Sequence, residues 1–413
     1  IQVNERFALF FPEKRPFFLD GAEIFRTNQN LVHTRRIVDP IAGTKLTGKV
    51  GSISLGYLGA FDESPSSVFG GTNDAVFNMI RARADVGAGS TVGVLYTDRT
   101  LTDGGGFNRV ASADARLLFG GRFALSTQVT GSWTSTGETG SPASIEPALT
   151  LGLIRTGLNF NYSVRLADQS EDFRTETGFM PRLGDTDFGG AVEFARYGAS
   201  GALVETWGAE VQSNNFSGHD DFWAGRAPYE YEVELRPTVA FRDSRRVNGV
   251  LKWGGFRFRP EDYAAYEVVG PAGSPEPYGL PPALTNILGV AITPNIRFNN
   301  TFNLSGTVMF RQIPLFAEGS LGRENRLAPS LGVHPGERLR VEARYTWSRL
   351  KRSGDGSHFS TAHIPRLRVQ YQFSQSLLAR VIGQYDLEKR EALRHPVTGQ
   401  AVLIGGILQE ARE

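Results

Sequence analysis

Over much of this chain apolar and polar residues alternate strictly, and a period of two fits a two-faced β-strand and little else. From Leu158 the even positions read Leu158, Phe160, Tyr162, Val164 and Leu166, against Asn159, Asn161, Ser163 and Arg165. The pattern returns at Tyr229, Tyr231, Val233, Leu235, Val239 and Phe241, opposed by Glu230, Glu232, Glu234, Arg236 and Thr238 and interrupted by Pro237. It returns again where Leu339, Val341, Ala343, Tyr345 and Trp347 oppose Arg340, Glu342, Arg344, Thr346 and Ser348, and where Leu367, Val369, Tyr371 and Phe373 oppose Arg366, Arg368, Gln370 and Gln372. Helical spacing would scatter those charges over both faces.

Weaker instances start near Leu46, Ile53, Val76, Val92, Val110, Phe123, Ala148, Phe188, Val204, Leu251, Leu288, Phe302, Leu327 and Leu377. Together they predict about eighteen strands (16 to 20) of roughly ten residues, the length that crosses a bilayer at a tilt. Gly120-Gly121, Asn299-Asn300 and His334-Pro335-Gly336 read as tight hairpin turns, since these residue types accept positive φ or preset a turn. Longer polar connections are expected at Asp62 to Asp74, Asp168 to Asp185, Ser213 to Pro228, Pro260 to Thr285 and Lys351 to His363. Short turns at one end and long loops at the other imply a closed all-β, antiparallel up-and-down barrel of a bacterial outer membrane.

Composition agrees and excludes rivals. The 48 Gly and 28 Phe with only 3 Met suit a turn-rich β protein, and no run approaches a spanning helix. A mean hydropathy of -0.24 is no obstacle, because a barrel's lipid face uses every second residue. With 44 Lys+Arg against 43 Asp+Glu, no basic field argues for a nucleic-acid partner. The lack of cysteine excludes disulfides and thiolate metal sites. Of the six histidines, none stands at metal-ligand spacing, and His358 and His363 read as straddling a loop, so no metal or cofactor is expected. Neighbouring acids such as Glu171 with Asp172, or Asp220 with Asp221, are poor catalytic pairs, because adjacent strand residues face opposite ways. The run Gly104-Gly105-Gly106 reads as a turn.

Ahead of the first strand stands FFPEKRPFFLDGAEIF (Phe10 to Phe25), then HTRRI (His33 to Ile37) and AGTKLTGKVG (Ala42 to Gly51); ETGFMPR follows at Glu176 to Arg182. These segments resemble the C-terminal barrel region of a bacterial family of unknown function, whose members often carry an N-terminal module similar to family 9 carbohydrate-binding modules. The resemblance implies a barrel and makes a saccharide a candidate ligand. It also leads us to expect a piece lacking the sugar-binding module and the terminal aromatic strand.

Residues 1–41 are thus expected to form a plug or periplasmic-mouth segment, and 42–413 the barrel. In that segment Glu13, Lys14, Arg15 and Asp20 lie among Phe10, Phe11, Phe17 and Phe18. Either they contact a ligand, or the aromatics pack and the charges pair internally. Arg340, Glu342, Arg344, Arg366 and Arg368, with Glu230, Glu232 and Glu234, fall on the predicted inner face. They either set the selectivity of a pore or form cross-strand ion pairs. The expected function is a pore, transporter or anchor in contact with outer-membrane lipid. The alternative is a carbohydrate-active hydrolase or sugar-binding β protein.

Overall fold

A computed structural model describes residues 10–63, 74–87, 89–102, 105–135, 144–271, 273–280 and 282–412. Residues 1–9 of the N-terminal segment, 64–73 of the Asp62 to Asp74 connection, and Gly104 lie outside the described residues.

Each alternating stretch is a strand. The first half contains β1 (Pro40–Val50), β2 (Ile53–Asp62), β3 (Ala75–Asp85), β4 (Thr91–Leu101), β5 (Phe107–Phe119), β6 (Phe123–Ser135), β7 (Ile145–Arg155) and β8 (Phe160–Gln169). It continues through β9 (Asp185–Tyr197), β10 (Val204–Gly218), β11 (Glu230–Phe241) and β12 (Arg246–Phe256). Two short strands, β13 (Tyr266–Val269) and β14 (Pro275–Pro277), precede β15 (Leu284–Arg297), β16 (Phe302–Leu315), β17 (Ser320–Val333), β18 (Leu339–Arg352) and β19 (His358–Gln372). The chain closes with β20 (Leu378–Gln384), β21 (Leu387–Arg390), β22 (Val402–Ile404) and β23 (Ile407–Leu408).

Nineteen of these strands form one antiparallel sheet. From β1 to β12 every strand pairs with its neighbours in sequence; β12 passes to β15, and the meander resumes to β19. At the last position β20 pairs with the far half of β19 and β21 with its near half, so one broken strand fills the eighteenth place. The expected closure is not complete: among the described residues no ladder joins β1 to β20 or β21. The wall is that of an up-and-down barrel with a seam between its first and last strands.

The three tight turns predicted from sequence fall between β5 and β6, β15 and β16, and β17 and β18, all at one end of the wall. The longer connections gather at the other end, but three are shorter than expected. β10 runs through Ser213 to Gly218 before the helical turn α2 below; the Pro260 to Thr285 stretch contains β13 and β14; and only residues 353–357 separate β18 from β19. His358 and His363 therefore both stand on β19 rather than astride a loop. Where β10, β18 and β19 run into these stretches, polar strand residues had looked like loop.

The two faces differ sharply. The rung Leu58, Met79, Thr97, Val110 and Ser132 is buried and points inward. The adjacent outward rung sets Leu46, Ile80 and Tyr96 exposed around the wall. Residues 10–39, with the helical turn α1 (Pro16–Leu19), fold inside the wall at the long-loop end. There Phe18, Ile24, Phe25, Leu31 and Ile37 form a core with Leu58, Phe77, Met79, Leu95 and Phe173. Gly56 makes that approach possible, because a Cβ there would lie 2.8 Å from Ile24 and 3.0 Å from Phe25. On the opposite side β13, β14, β22 and β23 form a small second sheet over the same mouth.

Candidate functional site: a capped mouth above a charged inner wall

The N-terminal segment and the ETGFMPR loop, distant in sequence, meet in space. The His33 amide donates to the Thr177 carbonyl (2.7 Å) and the Phe179 amide to the Asn30 carbonyl (2.9 Å). Arg36 Nε donates to the Gly178 carbonyl at 2.9 Å. Gly178 packs so closely that a Cβ would stand 2.5 Å from the Asn30 oxygen.

Buried polar groups bind this cap to the wall. Arg99 Nη1 donates to Glu176 at 2.8 Å, and Thr177 Oγ1 pairs with Thr97 Oγ1 at 2.9 Å. Gln29 is held by Gln128 and Thr130, and the fully buried Asp62 carboxylate accepts the amides of Val38 and Asp39. Buried groups of this kind stabilise only while every partner is present.

Of the four charges predicted in the first motif, Glu13 accepts Arg15 Nε at 3.0 Å and Nη2 at 2.7 Å, and Thr34 Oγ1 at 2.7 Å. Arg15 also donates to the carbonyls of Ile37 and Thr34 and lies over the Phe18 ring. Burial alone would raise the Glu13 carboxyl, yet Arg15, Thr34 and two backbone amides hold it well below the usual carboxylate range. Lys14 is exposed, and Asp20 contributes its backbone carbonyl to Lys45. Of the four, Glu13 and Arg15 are thus engaged with each other and with the segment's own backbone. His33 packs against the rings of Phe10 (4.9 Å) and Phe179 (5.4 Å), which also touch each other. Burial, then the charges of Arg36 and Arg35, push its pKa below 6.5.

A second cap went unread in the sequence. Glu318, fully buried between β16 and β17, accepts Arg352 Nη2 (2.6 Å) and Nε (2.8 Å) and the Arg394 amide (3.0 Å). Arg352 also donates to the Ala392 carbonyl, so one ion pair pins the C-terminal segment to the wall. Above it Tyr263, Tyr266 and Tyr278 pack together, and burial first, then the nearby Glu318 charge, push Tyr278 far above the ordinary phenol range. Isolated polar residues spread over Glu318 to Arg394 gave no local pattern to find. The same holds for Asp168, which takes His219 Nδ1 (2.9 Å) and Trp223 Nε1 (3.1 Å) and seats α2 (His219–Trp223) on the rim. Asp220 and Asp221 both lie on α2, where Asp221 pairs with Arg226.

Below the caps, toward the short turns, the inner wall is polar. From β10 to β17 charges pair across and along strands: Glu232 with Lys252, Arg236 with Glu234 and Glu210, and Arg311 and Arg326 with Glu324. Glu230, nearer the rim, pairs with Arg182. A 450 Å³ recess opens here among Glu234, Arg236, Asn248, Lys252, Met309 and Arg311. The remaining predicted charges share the same face farther round. Arg340 lies opposite Gln370, Glu342 opposite Arg368, and Arg344 opposite Arg366. That Ser348, Leu350 and Arg352 are buried on β18 fixes its even positions as inward.

No family model and no curated protein matches the sequence. Among solved structures, the chain is similar to the open-form crystal structure of the ferric-catecholate import receptor Fiu from E. coli K12, at 9% identity and a TM-score of 0.36, over 84% of this chain. It spans 62% of that receptor's length.

Proposed function

We propose that the chain is the bilayer-spanning wall of an outer-membrane β-barrel that admits or binds solutes on its inner face beneath a capped long-loop mouth. The outward face carries this reading. An exposed apolar band, with Val94, Val129, Leu151, Val192, Val211, Leu251, Ile292 and Leu331, runs round the wall. Aromatic rings flank it at both edges. Toward the short turns lie Phe119, Phe123, Phe160, Trp207, Phe302 and Phe373, and toward the loops Tyr96, Tyr231, Trp253, Tyr345 and Trp347. A soluble protein does not expose such a belt, whereas two aromatic girdles around an apolar band match a bilayer's interfaces. Arg323, Arg349 and Lys351 point outward only beyond the second girdle.

The family resemblance supports a saccharide as cargo. The test is extraction: the folded chain should enter detergent but not plain buffer and migrate differently on a gel before and after boiling. After reconstitution it should conduct more once residues 10–39 are removed. A folded monomer released by buffer alone would refute the membrane reading.

A further inference from the structure

On β18, β19 and β20 the pattern of paired charges breaks down. Three successive inward rungs read Arg340, Gln370, Arg380; Glu342, Arg368, Ile382; and Arg344, Arg366, Gln384. Five arginines thus share this face with one carboxylate, which Arg368 takes at 3.3 Å. Among the described residues no acid pairs with Arg340, Arg344, Arg366 or Arg380. Arg344 and Arg366 stand directly opposite each other, an arrangement that costs stability in an antiparallel sheet. Both are exposed, as are Arg340 and all of β20, so open volume lies before them. Elsewhere on the wall Arg81, Arg165 and Lys252 each have a neighbouring acid.

We propose that this strip binds solutes bearing two or more oxyanion groups, such as phosphates, sulfates or carboxylates. Inward positions two residues apart repeat at about 6.8 Å along a strand, and neighbouring strands lie about 4.8 Å apart. Guanidinium forks on that grid engage several oxyanions of one ligand at once, each through charge-assisted, bidentate bonds. Gln370, which accepts Arg368 Nη2 at 3.1 Å and Arg380 Nε at 3.3 Å, orients two of the forks. The strip deepens the barrel reading, because it requires these even positions to line an accessible interior.

The test uses the whole chain in neutral detergent, titrated calorimetrically with inorganic tripolyphosphate at low and at raised salt. Binding should weaken as salt rises. Arg344→Gln with Arg366→Gln should lower the association constant about tenfold or more, while Arg323→Gln, on the outer face, leaves it unchanged. The double variant should melt no lower than the parent, since a repulsive rung has gone. Micelles doped with phosphatidylglycerol separate the two sources of the anion: competition there assigns the strip to lipid headgroups, and tripolyphosphate binding unaffected by them assigns it to solutes. Equal affinity of the double variant, no binding at low salt, or a lowered melting point would overturn the proposal. Because the assay needs no bilayer, retained binding by a chain that fails to insert would refute the membrane reading and leave the strip standing.

Discussion

Replacing Ala343 by arginine should impair assembly in lipid, whereas removing Arg344 beside it should not. The outward residues of β18 run from Leu339 to Trp347 with Ala343 midway, flanked across the ladders by Leu331 and Leu367. Eight residue steps at about 3.4 Å, tilted by about 40°, cover roughly 20 Å along the bilayer normal. A side chain at Ala343 therefore starts roughly 10 Å from either interface, farther than snorkelling recovers in full. An arginine there should cost roughly 2 to 4 kcal/mol, the range for basic residues near the midplane of such barrels. Arg344 faces inward against Arg366, so Arg344→Ala should change stability by less than about 0.5 kcal/mol or raise it slightly. Denaturant midpoints for reversible refolding into lipid vesicles would measure both. Equal losses, or a larger loss for Arg344→Ala, would show that the faces are reversed or that β18 lies outside the bilayer.

Glu318→Ala should free residues 391–412 for proteolysis and cost about 3 to 5 kcal/mol, since it strands Arg352 buried without its partner; Glu318→Gln should keep more of the protection. Acidification from pH 7.5 to 5.5 should expose Arg35 and Arg36 to trypsin. A depressed His33 pKa means that the displaced segment binds more protons, so stability falls as pH drops below about 6.5. His33→Phe should abolish that dependence, and the Glu13 contribution should fade only below about pH 4.5. Gly178→Ala should loosen the same cap at every pH, read as faster hydrogen exchange at the Phe179 amide. Since the chain has no cysteine, single probes report topology cleanly. Gly354→Cys should react with an impermeant maleimide on intact cells and Gly121→Cys only after permeabilisation, if long loops face outward.

How much of this was legible in the sequence depended on the range of the signal. A strand of a two-faced wall is written in its own period of two, so all eighteen wall positions could be found locally, including the irregular ones at Val76 and Ala148. The inward set of β18 followed from the same alternation. What escaped was whatever is held by partners far along the chain. The four short strands over the mouth, β13, β14, β22 and β23, have too few residues to show a period. Glu318 and Arg352, 34 residues apart, carry no mark of their pairing. Loop lengths were overestimated at Ser213 to Gly218 because Asn214 and Asn215 look like turn residues, yet both stand in the β10 ladder, Asn214 on the polar inner face beside Arg165 and Asn215 bonded to the Phe188 carbonyl.

The caps and the wall are fastened by different means, and this decides how the mouth could open. The wall's strength lies in backbone ladders running without interruption from β1 to β12 and from β15 to β19. The N-terminal cap and the ETGFMPR loop touch those ladders through side chains: the loop by Glu176 to Arg99 and Thr177 to Thr97, the cap by the Gln29 amide to Gln128. The cap's own backbone bonds go chiefly to the ETGFMPR loop, not to the wall. Lifting the cap and loop together would expose the Phe18 to Ile37 core and strand Arg99, while leaving the strand ladders intact. The cost is therefore local, set by one buried ion pair, the buried hydrogen bonds of Gln29, Thr177 and Asp62, and one apolar cluster, and an agent that protonates His33 or competes for Arg99 acts on the mouth without loosening the barrel. That separation follows from the fold, since the segment enters β1 at Pro40 from inside the long-loop end rather than through the sheet.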